Sequence, residues 1–326
     1  MDDNTNRKDN AYRQNEQRYW NHYGVTPTEK WLNLNTLNTQ VRVLEIGQGE
    51  PLLFVHGGPS AGSTFAPLAA HLTDFRCLVL DRPGCGLSPP IRYTGLPHNV
   101  RMPNLLAACL DALELPYVNL VGSSFGGACA LWLALRHPQR VKKIVLMGCP
   151  PFINGTQMPL FLRLLATPVI GQLLCRLPAN RSGSIAYLNA MGQQQTMKRG
   201  HIPDAFFDWH ISLGRDTRTM CNEHQLVQHG LTFRGMRPEL IIADAQLQSL
   251  PHPLYVYWGA HDPLADAEFA RKRFASMKQA ALDVLPDSGH LPWLDDPNDA
   301  ARRTRHFLTS AVIDTSNPIP GTVHTA

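Results

Sequence analysis

Tyr117-Val118-Asn119-Leu120-Val121-Gly122-Ser123-Ser124-Phe125-Gly126-Gly127 decides how this chain is read. Tyr117–Val121 is apolar except for Asn119, as expected of a short strand buried on both faces. It stops at Gly122, and a helix is expected from Gly126 to His137. A serine therefore sits on a sharp turn between a strand and a helix, inside a G-x-S-x-G. The residues two before and two after such a serine must be small, because strand and helix pass close together there. Gly122 and Gly126 meet that need for Ser124, and only Ser124 has glycine on both sides at that spacing; Ser123 competes by residue type alone.

Outward from this turn the same rhythm repeats. Pro51–His56 and Cys77–Asp81 are short apolar runs that stop at Gly57-Gly58-Pro59 and Pro83-Gly84. Trp31–Leu34 and Val41–Ile46 read as two paired strands, Met102–Leu113 as a helix and Lys143–Met147 as a fourth buried strand. Apolar runs alternating with helices predict a mostly parallel sheet covered on both faces. After Cys149-Pro150-Pro151 the strands vanish, and Met158, Phe161, Leu162, Leu164, Leu165, Ile170, Leu173 and Leu174 recur at helical spacing. The strand–helix rhythm resumes at Leu254–Trp258 and runs through Ala267–Met277, Ala281–Leu285 and Asn298–Leu308. The division expected is a discontinuous α/β core over 29–149 and 246–312, with a helical cap over 150–245. A polar tail with a short helix is expected over 1–28 and a loose tail over 313–326.

Composition excludes several classes. Of 326 residues, 44% are apolar and 17% charged, so the chain can bury a core and is not disordered by composition. A net charge of +4 without a clustered basic stripe gives no case for a nucleic-acid partner. No apolar run approaches the ~18 residues of a membrane-spanning helix. Seven scattered cysteines, several inside apolar segments, read as buried free thiols, and Met1–Asn10 lacks the apolar core of a signal peptide. A reducing, cytoplasmic compartment is the expectation.

A serine hydroxyl needs a base. Asp287-Ser288-Gly289-His290 follows the last predicted strand and Gly259-Ala260-His261-Asp262 the one before it. His290 and Asp262 would then share with Ser124 the edge where open α/β sheets carry their sites. Asp266 is a reserve for the acid, and Asp287 a weaker one. An oxyanion formed by attack needs backbone N–H donors. Phe125, after the serine, offers one, and Gly58 the other, with Gly57 second, because Pro59 has no N–H. His56 reads as a structural hydrogen-bonding residue rather than a second base.

With these residues in place, the chain resembles the α/β-hydrolase superfamily, of the lid-bearing type. The matching segments are Val55–Pro59, Asp81–Ser88, Gly122–Gly127, Gly259–Asp262 and Gly289-His290, so the resemblance spans about residues 41 to 310. It implies an eight-stranded, mostly parallel sheet with a helical cap after the sixth strand, and the chain order nucleophile Ser124, acid Asp262, base His290. It gives Asp81–Ser88 a structural place beside the site. His-Gly-Gly-Pro is similar to proline iminopeptidases, but Ser60 stands where they usually carry glycine, and their Asp-Gln-Arg-Gly and Gly-Gly-Ser-Trp-Gly are missing. Epoxide hydrolases and haloalkane dehalogenases use Asp where this chain has Ser124. Ser-Phe-Gly-Gly is shared by carboxylesterases and by C–C hydrolases of ring-cleavage products, and cofactor-free haloperoxidase-like members look similar.

The expectation is a serine-dependent hydrolase of carboxylic esters that forms an acyl-enzyme and needs no cofactor or metal. The same triad would serve C–C cleavage or amide and iminopeptide hydrolysis, while a non-catalytic binding protein on this fold usually loses a triad member. The substrate expected is a small, partly apolar ester or other acyl compound. Phe206, Phe207 and Trp209 of the insertion are expected either to shape its pocket or to pack cap on core. Cys221-Asn222-Glu223-His224 resembles a metal-ligand pair, but no second pair with zinc spacing follows.

Overall fold

The computed structural model describes residues 3–310. The expected tail at 313–326 lies outside the described residues. The strands are β1 (Thr28–Leu34), β2 (Thr39–Ile46), β3 (Pro51–Val55), β4 (Arg76–Leu80), β5 (Val118–Ser123), β6 (Val141–Met147), the short pair β7 (Leu231–Thr232) and β8 (Gly235–Met236), β9 (Leu254–Gly259) and β10 (Ala280–Leu285). The main sheet has eight strands in the order β1-β2-β4-β3-β5-β6-β9-β10. The β1–β2 and β2–β4 pairings are antiparallel and the remaining five parallel. This is the α/β architecture expected, with helices on both faces.

The apolar runs follow from that layering. On β3, Leu53 and Val55 enter one core while Leu52 and Phe54 enter the other. A strand with both faces covered carries apolar side chains at every position, which erases the alternation of a half-exposed strand. The helix after β5, Phe125–Arg136, has ten of its twelve residues buried, so it too lacks a polar stripe.

Between β6 and β9 the chain forms seven helices from Leu160 to Gln248, together with the β7–β8 hairpin. The N-terminal region departs from the expected tail. Asp3–His22 is a twenty-residue helix that buries Tyr12, Glu16, Tyr19 and Trp20. Trp209 stacks on Tyr19 with ring centroids 5.3 Å apart and donates from Nε1 to Tyr12 Oη. Glu16 pairs with Arg42 of β2 and accepts from Ser63 Oγ at 2.7 Å. The helix hides from a composition reading because polar Asn, Gln and Arg fill its outer face and only four positions face inward. For the same reason Phe206, Phe207 and Trp209 join the core beneath this helix instead of shaping a pocket beside Ser124.

Candidate active site

Ser124 lies directly after β5 with φ +50° and ψ −124°, a backbone region costly for a residue with a side chain. The turn is held by close packing around its glycines. A β-carbon on Gly126 would stand 1.8 Å from Val55 O, and one on Gly122 2.7 Å from Gly127 Cα. Gly57 is pressed against the serine itself, a β-carbon there meeting Ser124 Cβ at 2.6 Å. The requirement for small flanking residues is thus met by β3, which runs beside β5 and ends in the His56–Pro59 loop.

Asp262 and His290 come from the loops after β9 and β10. His290 Nδ1 donates to Asp262 Oδ2 at 2.7 Å, and both side chains are buried. Asp262 is fixed further by the backbone N–H groups of Cys149 (2.8 Å, to Oδ2) and Leu264 (2.9 Å, to Oδ1). With Nδ1 donating, Nε2 keeps its lone pair. Ser124 and His290 line one small cavity with Gly57, Gly58, Tyr187 and Trp293. The two reserve acids lie elsewhere. Asp266 caps the helix Ala267–Phe274 by accepting from Phe269 N, and Asp287 pairs with Arg199 at the surface.

Gly58 and Phe125 line a second cleft with Ser124. Phe125 opens its helix, and a first-turn N–H has no intrahelical acceptor. Apart from Glu223, the rest of this cleft is apolar, including Phe152, Met158, Leu162, Leu165, Leu226 and Leu264. The cleft has a volume of about 60 Å³, room for only a few waters. His56 faces away from this chemistry. Its Nδ1 donates to Gly57 O at 2.6 Å, its Nε2 accepts from Arg82 N at 3.1 Å, and burial beside Arg82 holds it neutral with a strongly lowered pKa.

Two further residues belong to this region. Gln193, fully buried, grips the loop around His290 from both sides. Its Oε1 accepts from Gly289 N and its Nε2 donates to Leu291 O, both at 2.7 Å, while His290 N donates to Met191 O at 2.8 Å. Glu223, on the helix Thr219–Gly230, reaches in from the other side. Arg82 Nη2 donates to its Oε1 at 2.7 Å, and Oε2 lies against Gly58, where a β-carbon would stand 1.8 Å from it. Glu223 also lines the apolar cleft. Its neighbours Thr219 and Asn222 bind Gly86 N and Pro83 O, so this helix docks on the Asp81–Ser88 loop through buried polar contacts. The Cys221–His224 pattern that resembled a metal pair is therefore a docking face, with Cys221 exposed and His224 Nδ1 at Leu165 O. Neither Gln193 nor Glu223 carries a local sequence signal, because each partner lies about a hundred residues away or more.

A family model described as the alpha/beta hydrolase fold matches residues 50–297. The chain belongs to the α/β-hydrolase fold family. Among curated relatives of this hydrolase is the cis-3-alkyl-4-alkyloxetan-2-one decarboxylase of Shewanella oneidensis, 28% identical over 85% of this chain and 87% of that one. The 2-hydroxy-6-oxo-6-phenylhexa-2,4-dienoate hydrolase of Burkholderia cepacia is also 28% identical, over 88% and 96%. Among solved structures, carboxylesterase CesB of Bacillus subtilis superposes with a TM-score of 0.73 at 16% identity, covering 94% of this chain and 100% of that one. The relatives and structural neighbours include esterases and C–C hydrolases, and the protein is a hydrolase by that kinship.

Proposed function

We propose that the protein hydrolyses carboxylic esters of partly apolar acids, with Ser124 as nucleophile, His290 as base and Asp262 as its orienter. The observation that carries this reading is the buried 2.7 Å His290–Asp262 hydrogen bond opening onto the cavity that Ser124 also lines. His290 Nε2 takes the serine proton as the hydroxyl attacks the carbonyl, and Asp262 stabilises the imidazolium. The backbone N–H groups of Gly58 and Phe125 receive the oxyanion. The imidazolium returns its proton to the departing alcohol, and water then releases the acid by the same steps. The helices from Leu160 to Gln248 act as a cap, supplying Leu162, Leu165, Glu223 and Leu226 to the wall of the cleft.

An ester is preferred over a ring-cleavage dienoate because of Glu223. A dienoate brings its own carboxylate, and the one charged side chain on the cleft wall, Glu223, is an acid paired with Arg82, so no cation lines the cleft to receive it. An unpaired carboxylate in an apolar cleft is strongly disfavoured. The name of the Shewanella relative specifies an alkyl-substituted lactone, a cyclic ester, which fits the same wall.

A fluorophosphonate probe tests the nucleophile. Wild-type protein should label and Ser124→Ala should not; equal labelling would assign the chemistry to another residue. A panel of p-nitrophenyl esters run beside a ring-cleavage dienoate tests the bond. Turnover of the dienoate with no turnover of any ester would overturn the ester assignment.

A further inference from the structure

The cap carries a surface that hydrolysis in water does not require. Of the twelve exposed large apolar residues among those described, six lie within residues 160–177: Leu160, Val169, Ile170, Leu173, Leu174 and Leu177. Val169, Leu173 and Leu177 are each more than 60% exposed. Val169 and Leu173 are four apart on the helix Pro168–Leu174, as are Ile170 and Leu174, so the four share one face. The buried residue of that helix is Gly171, packed against Leu165 O and His224. A contiguous apolar patch of this kind marks an interaction surface.

Charge identifies the partner. The chain carries 26 acidic residues, yet none lies between Leu115 and Pro203. Within the patch stand Arg163 and Arg176, and neither makes an ion pair among the described residues. Farther out, Arg181 and Arg199 pair with Asp204 and Asp287 at the segment's margins. Exposed leucines interleaved with unpaired arginines, with no acid to repel an anion, suit the headgroup region of an anionic bilayer. A second copy of this chain fits less well. A two-fold contact would set the patch against itself and bring the arginines of both copies together without a compensating acid.

We propose that the outer face of the Leu160–Leu177 hairpin docks on an anionic lipid surface, and that the cleft beneath takes its substrate from that surface. The inner side of the same hairpin supplies Leu162 and Leu165 to the cleft that Ser124 lines, so one element faces lipid on one side and the candidate site on the other. The second half of the proposal rests on the ester-hydrolase reading; the first half does not.

Sedimentation of the full-length protein with vesicles tests this. Vesicles of equal parts phosphatidylcholine and phosphatidylglycerol should pellet the protein at least about tenfold better than phosphatidylcholine alone, with the difference shrinking in high salt. Val169→Asp/Leu173→Asp should abolish pelleting and Arg176→Glu should weaken it, while both variants hydrolyse p-nitrophenyl acetate in solution at the wild-type rate. Ser124→Ala should pellet like wild type, so vesicle binding is read separately from the chemistry. Failure of the mixed vesicles to pellet wild-type protein would overturn the docking surface, as would unchanged pelleting of the double variant. Light scattering that shows a dimer dispersed by the double variant, with no vesicle binding, would instead assign the patch to a second copy.

Discussion

At the scale of single residues, the nucleophile turn is a steric object before it is a chemical one. Ser124 keeps its positive φ because Gly126 lets the helix start against β3 and Gly57 lets the His56 loop touch the serine. Gly126→Ala drives a β-carbon into Val55 O, so strand or helix must shift. A loss of about 1–3 kcal/mol or more is expected in urea unfolding, together with slower fluorophosphonate labelling. Glu223 poses a different problem at this scale. Glu223→Gln leaves Arg82 buried without its countercharge, and a cost of about 3–5 kcal/mol is expected. Replacing both partners with methionine should restore most of that stability, because no buried charge is then left alone. The two classes of residue were unequally legible. Ser124, Asp262 and His290 each follow a strand within a few residues, so local punctuation places them at one edge. Glu223 meets Arg82 across 141 residues and Gln193 meets Leu291 across 98, and no local pattern records such contacts.

At the scale of elements, the core was readable and the attachments were not. Strands buried on both faces announce themselves as apolar runs ending in glycine or proline, and β3 to β6, β9 and β10 all lie where those runs were read. The N-terminal helix has four inward residues among twenty, too few to mark it as part of the fold. Its docking also makes packing residues of Phe206 and Trp209, whose aromatic character left pocket and packing open alike; aromatics declare burial but not against what. Glu16→Gln should cost about 1–3 kcal/mol, since it weakens charge-assisted hydrogen bonds to Arg42 while Asp81 and Glu29 continue to hold that guanidinium. A thermal or urea melt measures it. The segment that carries Gln193 has a sharper effect. Gln193→Ala leaves Gly289 N and Leu291 O without their partner on either side of His290. We expect a folded protein about 1–3 kcal/mol less stable whose kcat falls while KM for small esters stays within about twofold. Gln193→Glu keeps the acceptor for Gly289 N but sets a carboxylate oxygen against Leu291 O in a buried site, and should be at least as damaging as Gln193→Ala. A kcat equal to wild type in Gln193→Ala would show that the His290 loop needs no support from Gln193.

At the scale of the whole molecule, the segment between β6 and β9 meets the sheet core partly through a buried histidine, His98, that must stay neutral, and that makes the assembly sensitive to acid. His98 is 1% exposed and sits where its own helix, His98–Ala112, meets the helix Thr219–Gly230. Its Nε2 donates to Leu226 O at 2.9 Å, its Nδ1 has no partner, and its ring meets Phe125 edge-on at 5.5 Å. Burial, reinforced by His229, Arg101 and Arg82, lowers its pKa to about 4. An unfolded histidine titrates near 6.5, so between these values the unfolded chain binds the extra proton and stability must fall as pH falls. His98 contributes in full above about pH 6.5, loses about 2 kcal/mol between pH 7 and pH 5, and gives nothing further below about pH 4. His56, lowered in the same sense by burial and Arg82, steepens the wild-type curve. The share due to His98 is therefore read from the difference between wild type and His98→Phe in urea unfolding at pH 7 and pH 5. His98→Phe should be less stable at pH 7, having lost the bond to Leu226 O, yet its decline to pH 5 should be shallower than wild type by about 2 kcal/mol. Parallel declines in the two proteins would place the acid sensitivity elsewhere. Because Phe125 both contacts this ring and offers an N–H to the proposed oxyanion, acid should loosen the cap and slow ester turnover together, and His98→Phe should narrow both losses.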